Sequence, residues 1–180
     1  MTTQQQTAVA ARMGARDHPP VEDARPPRVV LRVVNPVIRA LLRSPLHGLL
    51  SKQLMLLSVT GRKTGRTYAV PVGRHESNGM LLVSVSGRWR HNLRGGAPVR
   101  LTLDGRERAG YAELEEEPGQ VARTFKLLLD RLGPAGPPLL GLKINIHRPP
   151  TVDEVQPAVA RRCIARVRLT DEAAQRTQEV

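Results

Sequence analysis

Apolar positions along the chain follow two different periods. Between residues 29 and 52 they recur every three or four positions: Val30, Val33, Val37, Leu41 and Leu42 lie on one side, Arg32, Arg39 and Arg43 on the other. The spacing predicts a helix over 29–43, with a break or kink at Asn35-Pro36 because proline removes a rung of helical hydrogen bonding. A second short helix is expected over 46–52. From Leu54 the pattern changes. Residues 54–60 (LMLLSVT), 67–75 and 80–86 (MLLVSVS) are short apolar runs without a polar helical face, separated by glycine-containing turns, and read as strands. Two further strands, 99–103 and 106–114, flank Asp104-Gly105, a two-residue hairpin signal.

The helical period returns twice. WRHNLR at 89–94 has helical spacing and stops at Gly95-Gly96. Residues 118–132 place Pro118 in a first turn and Val121, Phe125, Leu128 and Leu132 on one face. A Gly/Pro loop follows, then an apolar stretch over 139–146 and a last strand over 163–169. Successive short strands with helices inserted and no βαβ alternation predict an α+β fold on an antiparallel barrel or sheet. There is no internal repeat, no GxGxxG and no Walker sequence, so nucleotide folds built on those motifs have no support.

Residues 1–27 are polar and proline-rich and read as a disordered tail; the domain is expected over 28–170, with 171–180 a C-terminal tail. No stretch approaches the ~18 apolar residues of a membrane span, and no signal-peptide core precedes the domain. A cytoplasmic protein is expected. The single Cys163 has no internal disulfide partner, and no clustered Cys/His pattern signals a metal.

Charge narrows the ligands. Lys+Arg number 28 against 16 Asp+Glu, a formal +12, so the surface attracts anions. Aromatic residues make up only 2%, which argues against nucleic acid, because single-strand binders stack bases on aromatic rings. A phosphate- or carboxylate-bearing small molecule fits better. The amphipathic stretch 29–52 leaves peripheral contact with an acidic membrane as another use of the same charge.

Two motifs carry the candidate chemistry. In GRKTGR, Gly61 and Gly65 allow a tight turn with outward N–H groups, while Arg62, Lys63, Thr64 and Arg66 add charge and a hydroxyl. The same residues would also suit a solvated basic hairpin. In the second motif, Ser84, Ser86 and Gly87 end an apolar strand that feeds Arg88 to Leu93, an anion-friendly strand-to-helix junction. Trp89 reads as a core anchor, and Asn92 as a polar contact or a backbone cap. Glu115, Glu116 and Glu117 precede Pro118, where acids suit a helix N-terminus. No catalytic triad or paired-carboxylate arrangement is evident, and His91 reads first as a solvent-facing histidine.

In order and spacing, GRKTGR followed by TYAVPVG, LLVSVSG and WRHNLRGGAPV resembles the deazaflavin-dependent nitroreductase family, oxidoreductases that use coenzyme F420. The lead-in NPVIRALLRSPLHGLLSKQLMLLSVT is similar too. The resemblance implies a split β-barrel with flanking helices, shared with flavin-dependent pyridoxamine-phosphate oxidases. It implies F420 as cofactor, with FMN as the alternative, and hydride transfer to a small or lipophilic acceptor (an activated C=C, a nitro group or a quinone). By motif position, Arg62, Lys63 and Thr64 would hold phosphate or tail carboxylates. Tyr68, Ala69, Val70, Pro71, Val72 and Gly73 would run along the deazaflavin through backbone contacts. Ser84, Val85, Ser86, Gly87, Arg88, Trp89, Arg90, His91 and Asn92 would close its other side.

The chain departs from the family in three places. Thr67-Tyr68 stands where many relatives carry Pro-Arg, the loop between Ser86 and Trp89 is short, and the segment LLGLKINIHRPPT replaces a tyrosine-rich one that shapes the substrate pocket. The acceptor is therefore not carried over. Two other readings are a non-catalytic carrier of F420, FMN or another anion, and a membrane-docking protein. Both monomer and homodimer occur among such barrels.

Overall fold

The computed structural model describes residues 18–25, 28–43 and 53–170. The expected helix over 46–52, the tail before residue 18 and residues 171–180 lie outside the described residues. In chain order the first elements are β1 (Val21–Asp23), α1 (Arg28–Arg43), β2 (Leu54–Thr60), β3 (Thr67–Gly73), β4 (His75–Ser77) and β5 (Met80–Val85). A 3₁₀ helix (Arg88–Leu93), β6 (Ala97–Leu103), β7 (Arg106–Glu115) and α2 (Pro118–Leu132) follow. A 3₁₀ turn (Gly133–Ala135), α3 (Gly136–Leu139), β8 (Leu142–Ile144), α4 (Val152–Val159) and β9 (Cys163–Leu169) complete it.

Seven strands form one antiparallel sheet in the order β3-β2-β6-β7-β9-β5-β4. The sheet curls until its edge strand β3 approaches β5, although β3 is hydrogen-bonded only to β2. The result is the α+β half-barrel that the strand pattern and the family resemblance both predict. Its tight hairpins sit at Asn78-Gly79 and Asp104-Gly105, all four residues at positive φ (51°, 71°, 49° and 72°). These are the residue types that tolerate the left-handed region.

Side chains alternate between two cores, as the period of a strand requires. Met55, Leu57, Val59, Val83, Val85, Ala165 and Val167 fill the inside of the curl. Leu82 and Ile164 face the other way, into a second core with Val121, Phe125 and Leu128 of α2 and Val155 and Val159 of α4. Gly110, in the middle of β7, has no room for a side chain: a Cβ there would lie 2.8 Å from the Arg168 carbonyl oxygen.

Several expectations are corrected. Of the break or kink expected at Asn35-Pro36, the break does not occur: the lost N–H costs one rung, and the remaining bonds carry the helix α1 to Arg43. Val37, expected on its buried stripe, is 66% exposed, whereas Leu42 is buried as predicted. The run 67–75 is two strands, because the chain changes partner around Arg74, from β2 before it to β5 after it. Val21–Asp23, in the stretch expected as tail, pairs with β8 in a separate two-stranded sheet. The helix α4 has no counterpart in the apolar pattern. Thr151 and Glu154 start it with reciprocal side-chain-to-backbone bonds.

Arg162 fastens the small sheet to the large one. Its guanidinium donates to the carbonyls of Leu140 and Gly141 at 2.5 and 2.6 Å and to Asp23 Oδ1 at 2.6 Å. It lies over the Phe125 ring, 5.3 Å from its centroid. Burial alone would raise the Asp23 carboxyl, yet hydrogen bonds from Arg25 and Arg162 carry it below its ordinary value.

Candidate functional site

The turn 61–66 closes through its own backbone: Gly65 N–H donates to the Gly61 carbonyl and Gly61 N–H to that of Arg66, both at 2.8 Å. Gly65 has φ 64°. Gly61 is buried against Tyr68, with an added Cβ only 2.8 Å from Tyr68 Cε2. The turn is therefore tight for steric reasons as well as for hydrogen bonding. Thr64 Oγ1 lies 3.4 Å from the Tyr68 hydroxyl.

The second motif begins where β5 ends. Gly87, at φ 86°, swings the chain out of the sheet and into the 3₁₀ helix. Leu93 is fully buried, and Trp89 packs against the inner core, as its reading as an anchor predicts. Arg88 and His91 are exposed, and Arg90 and Asn92 half-buried.

The two motifs touch. Arg62 N–H donates to Asn92 Oδ1 at 3.2 Å. The Arg62 guanidinium donates to the carbonyls of Arg94 and Gly96, the latter at 3.2 Å. Arg62 thus cross-links the turn to the end of the 3₁₀ helix, a positioning part beside the ligand contact expected of it. Among the described residues, Lys63, Arg66 and Arg88 have no carboxylate partner and remain exposed.

Sequence reasoning alone does not find the layer behind this junction. Arg94 donates to Glu116 through Nε at 2.7 Å and NH2 at 2.9 Å. The Arg94 hydrogen bonds hold the Glu116 carboxyl below its ordinary value. Arg90 donates to Cys163 Sγ at 3.4 Å, while its Nε is buried without a hydrogen-bond partner. Burial pushes the Cys163 thiol up, so it stays protonated near neutral pH. The three glutamates separate into different roles. Glu117 caps α2 through the N–H groups of Gly119 and Gln120, at 2.8 and 2.6 Å. Glu115 accepts from Glu117 N–H at 3.0 Å. Glu116 turns toward Arg94 instead, and the only sequence signal for that is the excess of arginine in the second motif.

The strand β3 supplies the remaining expected contacts. Tyr68 is exposed, and Ala69, Val70, Pro71 and Gly73 are half-buried. Val72 and Val85 have side chains in the core, at 6% and 0% exposure, so only their backbone can meet a ligand. Ser84 and Ser86 are half-buried on either side of Val85. β3 comes close to β5 with no ladder between them, so the backbone edge of β3 that faces away from β2 is unpaired in the sheet. Arg62 holds the cationic turn after β2 against the 3₁₀ helix after β5. Such an arrangement can grip a flat, polar heterocycle by backbone hydrogen bonds and its anionic tail by charge.

A family model described as F420H(2)-dependent quinone reductase matches residues 31–131, from α1 through α2 and across both motifs. The comparison with curated proteins found no match. Among solved structures, one described as an F420 reductase aligns with TM-score 0.38 and 18% identity, covering 73% of this chain and 91% of that one. A putative 5-nitroimidazole antibiotic resistance protein from Bacteroides thetaiotaomicron VPI-5482 aligns with TM-score 0.37 and 11% identity, covering 68% of this chain and 76% of that one. At these values neither alignment bears on the fold, which the strand order itself establishes. Among the described residues no helix is long and apolar enough to cross a membrane.

Proposed function

The chain belongs to the F420H(2)-dependent quinone reductase family, and we propose that it reduces a small or lipophilic quinone-like acceptor in the cleft between β3 and β5. It is an F420-dependent oxidoreductase, and coenzyme F420 is its cofactor. When bound, that cofactor supplies a hydride from the C5 carbon of its reduced ring; the protein supplies binding and orientation.

One observation carries the siting. Arg62 ties the 61–66 turn to Asn92 and to the carbonyls of Arg94 and Gly96, which leaves Lys63, Arg66 and Arg88 unpaired among the described residues. The residues fit the group. An anionic phosphate and carboxylate tail matches this cluster of open cations, and the buried, unsatisfied Nε of Arg90 is a donor awaiting an acceptor. Lys63, Thr64 and Arg66 would hold the tail, with Arg62 fixing the turn behind them. The backbone from Tyr68 to Gly73 and from Ser84 to Gly87 would orient the ring, and Trp89 and Leu93 would exclude water beneath the helix.

The family's description as quinone reductases and the chemistry of hydride delivery support a quinone-like acceptor. A quinone takes a hydride and a proton without leaving group or metal, so an open cleft suffices. Nitro compounds and activated alkenes are the other electrophiles of this class. Titration of the purified protein with F420 and, separately, with FMN tests the reading: F420 should quench and FMN should not. Oxidation of reduced F420 should then follow addition of a short-chain quinone. Tight FMN binding with no response to F420 would sink the siting and the chemistry together.

A further inference from the structure

A cavity of about 670 Å³ lies elsewhere. It opens between the C-terminal end of α2, the Gly/Pro loop that follows, and residues 142–150. It shares no lining residue with the turn 61–66 or the 3₁₀ helix. The N-terminal end of α2 adjoins Glu116, whereas the cavity takes Leu129 and Asp130 from the other end. Along that helix Leu129 lies about 16 Å from Pro118.

Its walls are apolar and stiff. Leu129, Leu142, Ile144 and Ile146 line it, and the surrounding prolines, Pro134 and Pro138 among them, have fixed φ angles. A wall of this kind loses little conformational freedom when a ligand enters. The volume falls within the roughly 300–1,000 Å³ of small-molecule sites.

The charges at its edge are unequal in availability. Asp130 accepts from Lys126. Arg148 is clamped to Glu154 at 2.5 and 2.8 Å. Among the described residues, Lys143 and His147 have no carboxylate partner. An apolar trough with an uncommitted cation at its mouth complements a molecule that is apolar along its length and negative at one end.

We propose that this cavity binds a single-chain amphiphile with an anionic head, a long-chain carboxylate. The chain lies between Leu129 and Ile146, and the head meets Lys143 with His147 beside it. The site is separate from the proposed redox cleft, and occupancy of one does not require the other.

Calorimetric titration of the full chain with laurate, below its micelle concentration, tests this, with dodecanol and acetate as comparison ligands. Laurate should bind at least tenfold more tightly than dodecanol, and acetate should not register. Ile146→Glu, which puts a carboxylate into the apolar wall, should weaken laurate at least tenfold. Lys143→Glu changes only an exposed side chain, so it keeps the fold; it should weaken laurate about fivefold and leave dodecanol unchanged. F420 titration should be the same in all three proteins. Equal binding of laurate and dodecanol, or laurate binding indifferent to both substitutions, would overturn the proposal.

Discussion

Arg62 and Asn92 are joined by a 3.2 Å hydrogen bond from the backbone N–H of one to the side-chain oxygen of the other. The bond spans the two motifs that the sequence presents separately. Removing the acceptor in Asn92→Ala should loosen the turn against the 3₁₀ helix and raise the Kd for F420 about tenfold, or ~1.4 kcal/mol. Asn92→Asp keeps an oxygen at that position and should restore most of the affinity. Fluorescence titration reads both, and an Asn92→Ala protein that binds as the parent does would show the bond to be irrelevant to the cleft.

Lys63→Glu and Arg66→Glu should each weaken F420 binding by the ~1.5–3 kcal/mol of a charge-assisted hydrogen bond. The dependence of affinity on salt should flatten in both, because fewer cations face the anionic tail. Titrations at two ionic strengths measure this. A loss of affinity with the salt dependence intact would point to a distorted turn rather than a missing charge.

His75 is buried between β3 and β5, and burial lowers its pKa from the ordinary 6.5. The folded protein therefore binds fewer protons than the unfolded chain between 6.5 and that lower value. Stability contributed by the neutral ring is complete above 6.5 and is lost as pH falls toward the folded pKa. The slope is at most ~1.4 kcal/mol per pH unit. Urea unfolding at several pH values should show His75→Gln with a shallower acid decline than the parent; parallel curves would mean that this imidazole plays no part.

Arg162→Met should destabilise the fold by about 3 kcal/mol. Three short hydrogen bonds disappear: two carbonyls lose this donor, and Asp23 is left with Arg25 alone. Because Asp23 is a third exposed, the cost sits at the lower end for a buried pair. Asp23→Asn, which keeps an oxygen acceptor, should cost less. Denaturant titration ranks the two, and the reverse order would mean that the carboxylate rather than the carbonyl pair anchors Arg162.

The parts of this molecule legible in the sequence are those decided by neighbours along the chain. Asn78-Gly79 and Asp104-Gly105 announce their hairpins because few other residues accept their backbone angles. Pro118 and the Val121–Phe125–Leu128 face announce α2 for the same local reason. The Thr151–Glu154 box is equally local, and it is a signal that apolar periodicity passes over. Other features depend on partners far away in sequence. Val21–Asp23 is a strand only because residues 142–144 lie beside it. Arg162 reads as one more surface arginine, yet it is held by carbonyls from another segment. In the candidate site both motifs are visible, but the Arg62 cross-link and the Arg94–Glu116 pair are not. Nothing in GRKTGR distinguishes the arginine that braces the turn from the cations left open to a ligand.

The place of β9 in the sheet has a consequence for how the protein is made. It follows every other described strand, yet lies between β7 and β5, joining the β3-β2-β6-β7 half to the β5-β4 hairpin. Until the ribosome has released residues 163–169, the inner core lacks Ala165 and Val167 and the second core lacks Ile164. From the time β5 and β7 emerge until β9 does, the nascent chain therefore exposes their unpaired edges, together with the apolar rows beneath them. That interval is when chaperones would be needed most, and when truncated chains would aggregate.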